Sequence, residues 1–226
     1  MGLSLVGIDC DLGEASVQIA SDSYSIGELA TRRLIDDGCS RILCLRSNSR
    51  MRMPANKRTD AYLDVVEQAG LPALVREVEF VKPDDEKSAV VAKILDENPD
   101  IDGIFAGDDT MAAICLNIMK QRGLSAPDDI KVVGADGARR TMTFMPDLTT
   151  VRQDIDRIGE LAAQSIIALV NGDNPESNIK LPVELIEAKP RSSSRAKRIP
   201  QTPLMTVRRH MSTVCRRLEL RKDVLM

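Results

Sequence analysis

Short apolar runs alternate with amphipathic stretches of helical length along most of the chain, and this alternation restricts the fold more than any other feature. "LSLVGID" (3–9), "SVQIA" (16–20), "RILCL" (41–45), "EVEFV" (77–81), "DGIFA" (102–106), "IKVVGA" (130–135) and "PVELIE" (182–187) read as strands. Between them, "SIGELATRRLIDDG" (25–38) carries Ile26, Leu29, Ala30, Leu34 and Ile35 at helical spacing, with Gly38 as a stop. Residues 55–70, 85–99, 109–122 and 154–171 have the same helical character. Such alternation predicts βαβ units, hence an α/β fold with parallel sheets flanked by helices. Right-handed crossovers then line up the C-terminal strand ends along one edge, where ligands of such sheets bind.

Three acids fall on that edge. In "GDDTMAAICLNIMKQRGLSAPDDIKVVGADG" (107–137), Asp108 and Asp109 follow one strand and Asp136 follows the next. A catalytic or metal site, a sugar pocket and ordinary helix capping all suit acids so placed. Asp109 suits an N-cap or first-turn position, where carboxylates satisfy free N–H groups and the helix dipole. Asp136 has no such role to explain it and is the stronger ligand candidate. A metal site is compatible with the three acids by ligand type alone, and nothing else in the chain supports one.

Catalysis finds little support. There is no G-x-S-x-G elbow, P-loop or G-x-G-x-x-G, and the one histidine, His210, lies near the C-terminus. Acid–base chemistry would rest on carboxylates alone. A binding module, with no cofactor and no metal, is the expectation. The five cysteines (Cys10, Cys39, Cys44, Cys115, Cys215) show no CxxC spacing, which fits a reducing cytoplasm. No run reaches the length of a membrane helix, and "MGLSLVGIDC" lacks the basic start of a secretory signal. Aromatic stacking platforms are few: Tyr24, Tyr62, Phe80, Phe105 and Phe144 are all the chain has.

From Arg191 onward, ten Lys or Arg face only Glu219 and Asp223, a net charge of +8. The remaining 21 basic and 32 acidic residues leave a body of −11. Residues 191–226 read as a basic, disordered tail on their Ser, Pro and charge content. Attraction to nucleic acid, or a helix with Met211, Val214 and Leu218 on one face, are the sharper readings of the same segment.

The combined motifs resemble the effector-binding core of the lactose/galactose-repressor (LacI) family. "AGDDTMAAICLNIMKQRGLSAPDDIKVVGADG" and "PDLTTVRQDIDRIGELAAQSIIALVNG" carry the resemblance, together with "SDSYSIGELATRRLIDDGCSRILCL" and "KRTDAYLDVVEQAG". It covers about residues 5 to 190 and implies a periplasmic-binding-protein-like fold of type I, two α/β subdomains with the effector between them. It further implies a C-terminal effector-binding and dimerisation subdomain over 23–150 plus 182–190. Residues 1–22 and 151–181 would form part of the N-terminal subdomain. The implied effector contacts are Arg58, Asp136, Asp108, Asp109, Gln153 and Asp9, with Asp108 standing where the family commonly has Asn. Carboxylates accept from paired hydroxyls and Arg donates in a fork, so the set suits a sugar. A homodimer is expected through Ala113, Leu116 and Met119 of helix 109–122 and through Phe144. No helix-turn-helix headpiece is visible, so operator DNA would be reached only through a segment outside this chain. The alternative reading is a sugar-binding protein of a transport system with the same fold.

Overall fold

The strands form where apolar residues run continuously, because both faces of such strands are covered. The computed structural model describes residues 5–10, 12–13, 16–48 and 55–188. The basic tail lies outside them. The order is β1 (Leu5–Ile8), β2 (Ser16–Ser21), α1 (Ser23–Asp36), β3 (Ile42–Asn48), α2 (Asn56–Gln68), β4 (Leu74–Glu79), α3 (Asp84–Glu97) and β5 (Gly103–Ala106). The chain continues with α4 (Asp109–Gln121), β6 (Lys131–Asp136), α5 (Arg139–Phe144), β7 (Thr149–Gln153), α6 (Ile155–Asn171), β8 (Asn178–Leu181) and β9 (Val183–Ile186).

Two sheets result: a three-stranded one, β1-β2-β8, and a six-stranded one, β4-β3-β5-β6-β7-β9. All pairings are parallel except β7 with β9, which run antiparallel, with Gln153 opposite Val183. The period of two in β3 sends Ile42 and Cys44 to one face and Leu43 and Leu45 to the other. On the first face they meet Ile26, Ala30 and Leu34 of α1 and Tyr62 and Val66 of α2. On the second they meet Val91, Ile94 and Leu95 of α3 and Met111, Cys115, Ile118 and Met119 of α4. The smaller sheet packs Val17 and Ile19 against Ile158 of α6.

The chain passes between the sheets at Asp22, Asp154 and Pro182. Two of these crossings are capped. Asp22 Oδ1 accepts from Ser25 N at 3.2 Å to start α1, and Asp154 Oδ1 accepts from Arg157 N at 3.0 Å to start α6. Residues 151–153 stay in the larger sheet as the end of β7, where Val151 is fully buried, so the passage falls at Asp154 and not at the expected residue 151. Among the described residues no helix is long and apolar enough to cross a membrane.

Candidate functional site

The strand ends of β5 and β6 build the site. After β5 the chain passes through Gly107, where a Cβ would lie 2.9 Å from the Leu45 carbonyl. Asp108 follows and caps α4: its Oδ1 accepts from Met111 N at 2.7 Å and its Oδ2 from the Ser47 hydroxyl at 3.1 Å. After β6, Asp136 (φ 105°) and Gly137 (φ 58°) both take positive φ. A non-glycine residue held there is uncommon and clusters at functional positions.

Asp109 does not cap. It is 4% exposed, and its carboxylate ties three segments together. Oδ1 accepts from the Thr150 hydroxyl at 2.7 Å and Oδ2 from Gly137 N at 2.8 Å. Gly134 leaves room for this group, since a Cβ there would sit 2.5 Å from Asp109 Oδ1. Burial pushes the Asp109 carboxyl up to about 6, and the Asp136 and Asp108 charges add to the rise against the hydrogen bonds from Thr150 and Gly137.

Arg58 and Gln153 converge on Asp136. Arg58 Nη2 pairs with Asp136 Oδ1 at 3.0 Å, and Gln153 Nε2 donates to the same oxygen at 2.6 Å. Arg58 Nη1 also donates to the Gly107 carbonyl. The Arg58 side chain is about 10% exposed, against 34% for Asp136. Burial raises the Asp136 carboxyl above the usual range despite the opposing Arg58 charge. Two buried atoms of this cluster, Arg58 Nε and Gln153 Oε1, have no hydrogen-bond partner among the described residues. Asp136 and Asp108 open onto a cavity of about 330 Å³, lined also by Phe80, Asp84, Lys87 and Met111. A groove of about 340 Å³ between α1 and α2, at Arg32 and Gln68, contains none of the site residues.

Five of the six expected contacts thus fall at one sheet edge, with Asp109 beneath the surface as a brace. Asp9 stands apart in the smaller sheet. It takes φ 47° and closes the end of β1, its N donating to Ile19 O at 3.0 Å and its Oδ1 accepting from Ser21 N at 3.3 Å. Ser47, Thr150, Phe80 and Lys87 belong to the site's surroundings and escaped sequence reasoning, which had no long-range partners to read. Among the described residues no group of His, Cys, Asp or Glu is arranged to hold a metal ion. Of the residues expected at a dimer surface, Met119 is a correction: it is 1% exposed and belongs to the core beneath α4, because its turn of the helix faces the sheet. Ala113 and Leu116 are partly exposed, and Phe144 is 77% exposed.

Residues 31–194 match the model of the periplasmic binding protein-like domain. The chain is 32% identical to the sucrose operon repressor of Lactococcus lactis subsp. lactis, over 80% of this chain and 55% of that protein. It is 31% identical to the ribose operon repressor of Halalkalibacterium halodurans, over 74% of this chain and 50% of that one. The chain therefore spans about half the length of the curated relatives it matches. Among solved structures, a transcriptional regulator CelR–cellobiose complex superposes with a TM-score of 0.71 at 26% identity, covering 81% of this chain and 57% of that one. A LacI family regulator from Enterococcus faecium with bound ribose gives 0.73 over 82% and 69% of the two chains; at 20% identity that likeness concerns the fold alone.

Proposed function

The chain belongs to the family of periplasmic binding protein-like domains, and from that premise we propose that it is the effector-sensing core of a LacI-type transcription regulator, with a small sugar as effector. One observation carries the reading: Asp136 is held from below by Arg58 and Gln153 while its carboxylate stays open to the cavity at the sheet edge. A carboxylate fixed in this way accepts from sugar hydroxyls with little further ordering cost. The repressor relatives, two of them named for sugar operons, support the same reading.

The chain's own residues bind and orient; no bond is made or broken. A ligand gripped at the edge of the larger sheet and touched by the smaller one biases the three short crossings at Asp22, Asp154 and Pro182. A regulator uses such a bias to respace DNA-binding heads on a homodimer, and operator DNA is contacted through those heads and not through this core. The partly exposed Ala113 and Leu116 of α4, with Phe144, are the surface proposed for the dimer.

Calorimetry of the chain with sucrose and with D-ribose tests the site. Arg58→Ala or Asp136→Ala should each cost roughly 1.5–3 kcal/mol of binding, about ten- to a hundredfold. Unchanged affinity in both variants would overturn the assignment.

A further inference from the structure

Asp109 is a buried acid that the binding reading leaves unused. The residue is 4% exposed, and among the described residues neither of its carboxylate oxygens meets a cation. Oδ1 takes the Thr150 hydroxyl at 2.7 Å and Oδ2 the Gly137 N–H at 2.8 Å, both neutral donors. A carboxylate so placed keeps its charge only against the cost of leaving water.

The groups around it add to that cost. Asp108 precedes it at the start of α4 and Asp136 ends β6, so three carboxylates share one edge. Arg58 of α2 is the cation among them, and it is engaged by Asp136 at 3.0 Å and by the Gly107 carbonyl. Lys87 of α3 is matched by Asp84 at 3.6 Å. Arg152 of β7, whose stem lies against Gly137, is matched by Glu184 of β9 at 2.6 Å. Cys115 of α4 is pushed up to about 12 by burial and keeps its proton. None of these cations is left over for Asp109, and burial already pushes its carboxyl up to about 6.

We propose that Asp109 is a positioning residue that takes up a proton when an uncharged ligand covers the cavity, so that the sensor responds to its effector and to acidity together. The ligand's hydroxyls donate to Asp136 and Asp108 and hold both ionised, while the ligand expels the water that screens them. Their repulsion then falls more fully on Asp109, the acid of the three that does not line the cavity. The proton costs no contact. With the proton on Oδ1 the Thr150 bond reverses, since a hydroxyl both donates and accepts. Oδ2 still takes the Gly137 N–H and so holds the residue next to Asp136 in place. Asp109→Asn reproduces this neutral state, its amide nitrogen donating to Thr150 and its oxygen accepting from Gly137. This inference rests on the sugar-sensing reading above and adds a proton to what the site binds.

Calorimetry of the 226-residue chain with D-ribose and with sucrose, in two buffers of different ionisation enthalpy, counts the protons taken up. The expected uptake is roughly half a proton per sugar near about pH 6.5, falling to about zero by about pH 8.5. The affinity should fall about three- to tenfold from about pH 6 to about pH 8, because a rise of up to about one pKa unit on binding corresponds to at most tenfold. Asp109→Asn should bind at every pH with the affinity that the unaltered chain shows at the acid end, and should take up no proton. Thr150→Val, which removes a donor to the ionised form, should move the uptake to higher pH. Sugar binding without proton uptake and with a flat pH profile would overturn the coupling and leave sugar sensing intact. The same slope in Asp109→Asn as in the unaltered chain would overturn the assignment to Asp109. Binding of neither sugar at any pH would overturn the sugar-sensing reading itself, and the coupling with it.

Discussion

Asp109 sits where two demands on a carboxyl group oppose each other. The Thr150 hydroxyl and the Gly137 N–H favour its ionised form, while burial and the neighbouring Asp136 and Asp108 disfavour it. Burial wins, and the group rises from 3.8 to about 6. A carboxyl raised in the fold binds its proton more tightly there than in the unfolded chain. Its effect on stability is therefore most favourable below pH 4 and is lost as pH climbs from about 4 to about 6, then constant. The loss should be roughly 3 kcal/mol at its full extent. Urea unfolding at a series of pH values measures it, and Asp109→Asn should flatten that slope; a slope that persists unchanged in Asp109→Asn would assign the titration elsewhere. The sequence offered the three acids together but not their division of labour. The partners that separate a cap (Asp108), a brace (Asp109) and an open acceptor (Asp136) are remote: Gly137 and Thr150 lie 28 and 41 residues from Asp109. Arg58 lies 78 residues from Asp136. Spacing along a chain carries no information about such pairs.

At the scale of elements, two helical glycines predict opposite outcomes for the same substitution. Gly27 of α1 lies so close to α2 that a Cβ would fall 2.0 Å from the Arg58 carbonyl. Gly27→Ala must push the first turn of α2 away and carry Arg58 with it. The expected cost is about 1–3 kcal/mol, with weakened binding of the proposed sugar effector as a second symptom. Gly159, in the second turn of α6, has nothing within 4 Å of the added atom. Gly159→Ala should stabilise by about 0.5–1 kcal/mol through helix propensity and a less disordered unfolded chain. Thermal unfolding of both variants checks the pair, and a destabilised Gly159→Ala would contradict the open space seen around it. The longer helices were legible because each combines a 3.6-residue apolar period with a stop. The short strands were less so. β4 begins at Leu74, three residues before the expected start, since an edge strand needs only half its residues buried. β7 and β8 were not picked out as strands, being short and mixed in polarity. The antiparallel direction of β9 follows from the chain's return to the larger sheet through Pro182, which no apolar pattern encodes.

The whole molecule pairs two sheets of unequal support. The larger one is covered on both faces, with Leu43, Leu45 and Ile104 fully buried on one side and Ile42, Cys44 and Phe105 on the other. Among the described residues the smaller one buries only Val17, Ile19 and Ile158 to the same degree. Its helix α6 leaves Ile155, Ile167 and Val170 at least half exposed. Buried apolar area is the main source of local stability, at about 25 cal/mol per Å², so the smaller sheet should open first. The crossings at Asp22, Asp154 and Pro182 are single residues, and the first is tied to β8 by Asp22 N to Leu181 O at 2.8 Å and Lys180 to Asp22 at 3.3 Å. Such links let one sheet fluctuate without unravelling the other. Native-state hydrogen exchange should therefore show the amides of β1, β2 and β8 exchanging through an opening of lower free energy than those of β3, β5 and β6. Lys180→Ala should lower the first value and leave the second in place. A sugar that bridges the two sheets should close the gap between them by raising the smaller sheet's protection. Equal exchange free energies in both sheets would mean that they open only together, and a sensor that moves one sheet against the other would then need a different hinge.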